Sequence, residues 1–248
     1  MKTNSTSFQG ALSRSLQMNA YVFMVLFIST VCQWGSVHAQ TVPGITWIRQ
    51  YGTTCGSNPS MADISRGICT DGNFIYVAGY MNGTIPGINN PGPLPPAPPT
   101  YDAYIAKYDL AGNQLWIRQF GTASDDNATG VAVDASGVYV MGYTNGILSG
   151  PSNFGSSDAF IKKYDHNGNE LWTTQFGTAG LDNPSDAIAL DATGIYITGT
   201  TFGAFSGYSN LGGRDYFITK YSPDGTQLWL TQKGTAGNDW CTGIYVVA

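Results

Sequence analysis

An all-β fold, built from four-stranded antiparallel blades, is what the sequence predicts, and three observations carry it. One phrase recurs as NQLWIRQFGT (113–122), NELWTTQFGT (169–178) and TQLWLTQKGT (226–235), with a looser copy, GITWIRQYGT, at 44–53. Its tryptophans, Trp47, Trp116, Trp172 and Trp229, are separated by 69, 56 and 57 residues, a spacing that suits one propeller blade plus loops. Composition agrees: charged residues make up only 11% of the 248, while 32 glycines and 15 tyrosines favour short strands and tight turns.

The first 39 residues stand outside the pattern. Lys2 and Arg14 precede an uncharged apolar run at 20–32, then SVHAQ, where Val37 and Ala39 fit a cleavage site after Ala39. The run is shorter than the ~20 residues of a membrane span. The sequence therefore predicts a signal peptide at 1–39, no membrane span in the mature chain, and a secreted or cell-surface location. Cys55, Cys69 and Cys241 remain after cleavage, and export permits a disulfide. Cys55 with Cys69 is the expected pair, joining a loop to a strand and leaving Cys241 over.

Residues 40–248 form the expected propeller domain. A lone D strand at 46–51 leads it. Blades follow at 62–122, 128–178 and 186–235, and a partial blade at 240–248 supplies only an A strand. The middle blade parses as A, TGVAVD (129–134); B, GVYVMGYT (137–144); C, DAFIKKYD (158–165); and D, ELWTTQFGT (170–178). The next reads DAIALD, GIYITGTT, DYFITKYS and QLWLTQKGT. The first interval is longer because its D–A loop gains 6 residues and its B–C loop gains 7. Both loops emerge on one face of an up-and-down blade. The longer one (84–100) holds seven prolines, which suits an exposed polyproline II loop and not a central strand. Propellers usually have four to eight blades. The expectation is thus an incomplete arc, truncated at the C-terminus, with open edges that favour self-association.

The pattern GxAVDxxGxYVxGxT…DAFIxKYDxxGxxLWxxQFGT resembles the SBBP repeat, a β-propeller repeat of exported bacterial proteins. The resemblance runs from Gly44 to the C-terminus. It implies a propeller, commonly of seven blades, in large surface or secreted proteins, and it carries no catalytic residues. The shorter motif GNxLW is also similar to the repeat of quinone-dependent dehydrogenase propellers. That alternative implies a central cofactor site with calcium-binding acids, a centre nothing in this sequence builds.

A formal charge of −5 argues against nucleic acid, which requires a basic patch. Only His166 outlasts cleavage, in the C–D turn, so no catalytic triad or histidine-rich metal site is expected. Asp165, Asn167 and Asn169 alternate as in a calcium loop, but the other copies lose these ligands, and a hairpin turn explains all three. Asp102, Asp158 and Asp215 open the C strands, and Asp71, Asp134 and Asp191 end the A strands. Strand-end hydrogen bonding is the preferred reading of this repetition, and a ring of carboxylates for cations is the rival. On the insertion face, Tyr80, Tyr143, Phe154, Phe205 and Tyr208, with Asp125, Asp126 and Asp182, are the candidate contact residues. The expected function is an exported scaffold that binds glycans or proteins or serves as a spacer. It is not an enzyme and needs no cofactor, calcium being the one ion left open.

Overall fold

The computed structural model describes residues 63–83, 85, 100–150 and 152–247. Twelve strands and no helix appear among them: β1 (Ile64–Thr70), β2 (Phe74–Met81), β3 (Asp102–Asp109), β4 (Gln114–Phe120), β5 (Asp126–Asp134), β6 (Gly137–Thr144), β7 (Asp158–Tyr164), β8 (Glu170–Phe176), β9 (Asp182–Asp191), β10 (Gly194–Thr201), β11 (Asp215–Tyr221) and β12 (Gln227–Lys233). They form three antiparallel sheets, β1–β4, β5–β8 and β9–β12, each paired in chain order. These are the three expected blades, and among the described residues they do not close into a ring. The expected signal peptide, the expected lone D strand with Trp47, Cys55 and most of the proline-rich segment lie outside the described residues.

Apart from C and D strands that end one or two residues early, the strands differ from the expected ones in two ways. The A strands begin earlier, at Asp126 and Asp182, because bulges let pairing resume upstream. The register shifts between Ala128 and Gly130 in β5 and opposite Ile197 to Gly199 in β9. The expected trailing A strand is absent. Residues 240–247 take no strand conformation, since no B strand lies beside them among the described residues.

Each blade carries the same four side chains at one end. The A–B turn aspartate (Asp71, Asp134, Asp191) accepts from the tyrosine of the B strand (Tyr76, Tyr139, Tyr196) at 3.2, 3.4 and 2.8 Å. The C-strand lysine (Lys107, Lys163, Lys220) lies over that tyrosine ring at 5.4, 4.8 and 4.5 Å. The D-strand tryptophan packs against the same ring, with centroids 6.2 Å apart in all three blades.

The C–D turn of the following blade covers this group. Lys107 Nζ and Trp116 Nε1 both donate to the His166 carbonyl, at 3.0 and 3.1 Å. Lys163 Nζ and Trp172 Nε1 both donate to the Pro223 carbonyl, at 3.1 and 3.2 Å. The turn's glycine then lies on the indole. A Cβ on Gly168 or Gly225 would come within 2.9 Å of the Trp116 or Trp172 ring. Both glycines also have left-handed φ, of 80° and 87°. Between the ends, the Phe of QFGT plugs the junction: Phe120 meets Phe160 edge-on at 5.7 Å, and Phe176 meets Phe217 at 6.0 Å. Each plug belongs to a buried core shared by two sheets.

Gly168 and Gly72 separate the two demands on a turn glycine. Gly72 has φ of 90° and open space around a would-be Cβ. Gly72→Ala should cost only the left-handed penalty, about 1–2 kcal/mol. Gly168→Ala should lose about 1–3 kcal/mol more, because its methyl group overpacks the Trp116 ring. Urea unfolding of the two variants checks this, and equal losses would show that the indole contact is not tight.

Candidate functional site

The opposite end of the blades carries the insertion face, and its chemistry starts from buried carboxylates. The Gln of QFGT clamps each blade. Gln119, Gln175 and Gln232 donate to Asp102, Asp158 and Asp215 at 2.9, 2.7 and 2.8 Å, and to the B–C loop carbonyls of Gly83, Gly146 and Gly203. Their side-chain oxygens accept from the Ile85, Leu148 and Phe205 amides. The Thr of the phrase takes up the next aspartate. Thr122, Thr178 and Thr235 donate backbone N–H bonds to Asp126, Asp182 and Asp239 at 2.5, 2.6 and 2.6 Å. The Gly between them leaves room for two carboxylates at once. A Cβ on Gly177 would sit 2.5 Å from Asp158 Oδ1 and 2.9 Å from Asp182 Oδ2. Every residue of QFGT therefore has a structural role.

Asp126 and Asp182 are framework and not contact residues, since both are fully buried. Burial pushes the Asp126 carboxyl up to about 6, against the hydrogen bonds from Thr144 and Thr122, and nearby Asp102 adds to the rise. Burial also raises Asp182, and Asp158 adds to it. Phe205 is likewise misassigned by the sequence. It packs on Phe217 at 5.3 Å and Phe176 at 6.5 Å in the core between the second and third blades. Tyr208 is tied down by its hydroxyl, which donates to the Leu230 carbonyl at 2.8 Å. Phe154 is exposed in the second B–C loop, with its amide donating to Asp158 Oδ2 at 2.8 Å.

Tyr80 and Tyr143 do come together, with partners the sequence does not single out. The exposed Arg66 lies 5.9 Å from the Tyr80 ring centroid and 3.6 Å from Asp186 Oδ2. Tyr101 packs edge-on against Tyr80 at 5.2 Å, and its amide donates to Asp125 Oδ1 at 3.0 Å. Burial, the first cause, raises the Tyr143 phenol, and Tyr80, Arg66, Asp125 and Asp186 all lie close enough to act on it. Hydrogen bonding to Tyr80 comes first among the causes that raise Arg66. The cluster thus draws on all three blades: Arg66, Tyr80 and Tyr101 from the first, Asp125 and Tyr143 from the second, Asp186 from the third.

Bulges aim these side chains. The register of β1 shifts between Ser65 and Gly67, which leaves Arg66 as the extra residue. The shift in β9 places Asp186 within the unpaired stretch. Close approach of the A strands completes the site, since a Cβ on Gly67 would meet the Val131 nitrogen at 2.9 Å. An ion pair as exposed as Arg66–Asp186 adds about 0–1 kcal/mol to stability. Fold stability therefore gives little reason for it.

The other candidates have local roles. Asp165 Oδ1 accepts from the Asn167 and Asn169 amides at 2.9 and 2.8 Å, and Oδ2 from Asn169 Nδ2 at 2.8 Å. Asp109 does the same with Ala111 and Asn113, so this is a turn shared by two blades. His166 Nδ1 lies 3.2 Å from the Tyr76 hydroxyl. Cys69 is half-buried, and burial pushes its thiol up to about 12. Its expected partner Cys55 lies outside the described residues. Among the described residues no group of three or more His, Cys, Asp or Glu is placed to hold a metal ion, and no helix is long and apolar enough to cross a membrane.

Residues 115–149 match the SBBP family, described as a beta-propeller repeat. The chain is 31% identical over 148 residues to regulatory protein FlaEY of Caulobacter vibrioides, an alignment covering 56% of this chain and 15% of that protein. It is 26% identical over 166 residues to the uncharacterized WD repeat-containing protein L264 of Acanthamoeba polyphaga mimivirus, covering 55% of this chain and 12% of that one. The chain thus spans a small part of the length of either relative.

The raised Asp126 carboxyl sets a pH dependence. A carboxyl raised by folding stabilises fully below its unfolded value and loses that contribution as pH rises through about 6. Asp126→Asn removes the charge that faces Asp102. Its melting temperature relative to the unsubstituted protein should climb between about pH 4 and pH 7. A constant difference across that range, in calorimetry, would count against a raised carboxyl.

Proposed function

We propose that the chain is a β-propeller repeat scaffold whose insertion face binds a polyhydroxylated ligand, a glycan, at the Arg66–Tyr80–Tyr143–Asp186 cluster. One observation carries the reading: side chains from three blades converge on a patch where Arg66 and Asp186 are exposed beside half-buried Tyr80 and Tyr143, tied by an ion pair that fold stability does not need. Tyrosine rings offer flat apolar surface with a hydroxyl at the rim, which suits the C–H face of a sugar ring. Arg66 and Asp186, with Asp125 beside them, supply donors and acceptors for hydroxyls, with one cation set against two carboxylates. A segment of this kind belongs outside the cell in this reading, with residues 1–39 removed on export.

In this reading the chain is a binding module and not an enzyme. Its relatives carry the names of a regulatory protein and a repeat protein, which supports that choice. Protein recognition through the same patch is the second reading. The exposed Arg66 with its aromatic neighbours favours it, since arginine and tyrosine are common interface anchors.

A glycan array followed by calorimetric titration tests the choice. Tyr143→Ala and Arg66→Ala should each weaken binding by about tenfold or more while leaving the melting temperature within a few degrees. A glycan that binds both variants as well as the unsubstituted protein would remove the site. Capture of a protein and of no glycan would move the assignment to the second reading. N-terminal sequencing of the secreted protein should begin at Gln40.

A further inference from the structure

The Arg66–Tyr80–Tyr143–Asp186 cluster is unbalanced in charge, and the imbalance centres on its neighbour Asp125. Arg66 is the one cation of the cluster among the described residues, and it is already engaged. Asp186 Oδ2 lies 3.6 Å from it and the Tyr80 ring centroid 5.9 Å. Asp125 has no such partner. Its Oδ1 accepts from the Tyr101 amide at 3.0 Å, and its backbone carbonyl accepts from the Asn145 amide at 2.9 Å. No ion pair joins its carboxylate to a cation among the described residues. Two neighbouring loops thus fix this half-buried side chain in place and leave its charge unanswered.

The surroundings deepen the imbalance. The buried carboxylates of this end, Asp102, Asp126, Asp158 and Asp182, are held by glutamine, threonine and backbone donors, all neutral. The other described cations here, Arg214 and Lys233, belong to the third blade, where Arg214 lies 4.6 and 4.3 Å from the Phe202 and Trp240 rings. A surface lined by one sign of charge over a low-dielectric interior concentrates the field outside it. The aromatic groups act in the same sense. Tyr101 packs edge-on against Tyr80 at 5.2 Å, and Asp125 lies close enough to act on the Tyr143 phenol. A tyrosine face attracts cations, a preference the fold already uses where Lys163 and Lys220 lie 4.8 and 4.5 Å over Tyr139 and Tyr196.

We propose that the glycan bound at this cluster carries a free amine, and that Asp125, among the tyrosines, receives the ammonium of an amino sugar. The inference rests on the glycan reading and narrows it to one class of ligand. An ammonium brings Asp125 a charge-assisted hydrogen bond, roughly twice as strong as the neutral bond a hydroxyl would make. An N-acetylated sugar offers one neutral N–H and sets a carbonyl oxygen near the carboxylates. An acidic sugar would place its own carboxylate beside Asp125 and Asp186, with a single guanidinium that is already paired. A divalent metal ion fits the place less well, because no third acidic or histidine ligand joins these two carboxylates among the described residues.

The test uses the full chain and two trisaccharides that differ only at nitrogen, one of glucosamine and one of N-acetylglucosamine. Both are titrated calorimetrically in mildly acidic buffer, where the sugar amine is protonated. The amine form should bind tighter by about tenfold or more. Asp125→Asn should bring the two affinities together, because the amide oxygen still accepts from the Tyr101 N–H but carries no charge. Its melting temperature should stay within a few degrees, which identifies the variant as folded. Equal affinity of the unsubstituted protein for the two sugars would overturn the amine assignment and leave the glycan reading standing. A preference for the amine that survives both Asp125→Asn and Tyr143→Ala would overturn it too, since an acidic chain would then be attracting a cation without a site. Failure of every glycan to bind, with or without an amine, would instead remove the glycan reading and this inference with it.

Discussion

At one end of each junction a backbone carbonyl of one blade is received by a lysine and a tryptophan of the blade before it, and much of the repeat serves to receive it. A lysine and a tryptophan donate to the same oxygen, and the ammonium makes the pair stronger than neutral bonds. Aiming that ammonium takes the tyrosine beneath it and the turn aspartate that holds the tyrosine hydroxyl. Loss of the acceptor would strand two donors at a half-buried joint, the costly side of the hydrogen-bond balance. The glycine follows from the same geometry, because only a residue without a side chain lets the turn lie flat on the indole. Stability in such a stack is a sum of blade and neighbour terms.

The far end of the blades works on a different principle. There the joint is made to buried carboxylates by neutral donors, with a glutamine and a threonine of one short phrase each serving a carboxylate. Burial raises the pKa of the inner carboxylate, and the second carboxylate beside the same glycine adds to the rise, so this end of the molecule responds to protons and the tryptophan end responds to packing. The Arg66 cluster sits above the carboxylate layer, on bulges that interrupt the A strands. Rigid support below and exposed, redirected side chains above are what a recognition surface requires.

Much of this is legible in the sequence. The spacing of Trp116, Trp172 and Trp229 yields three blades, and the Gly, Asn and Asp turns mark their strands, because a repeat writes the same local physics three times. Burial across a junction is harder to read. Asp126 and Asp182 look like polar loop residues, since nothing local announces that a neighbouring threonine and glycine will bury them. Phe205 looks like a loop aromatic because its partners, Phe176 and Phe217, lie on other strands. Arg66 and Asp186 escape notice for the opposite reason: each occurs in one copy, at a bulge, where period-2 alternation breaks. Residues 240–247 do carry a strand pattern, but a pattern becomes a strand only when a partner pairs with it.

That the joint is made to a carbonyl and not to a side chain has a genetic consequence. The residue that supplies the oxygen is free to change, and it is His166 at one junction and Pro223 at the other. A duplicated blade can therefore drift at that position, or be exchanged with a distant copy, while the coupling stays intact. Between these two junctions the acceptor residue changes while the lysine and the tryptophan do not, so a gene of such repeats can lengthen, shorten and recombine while keeping this part of its interfaces.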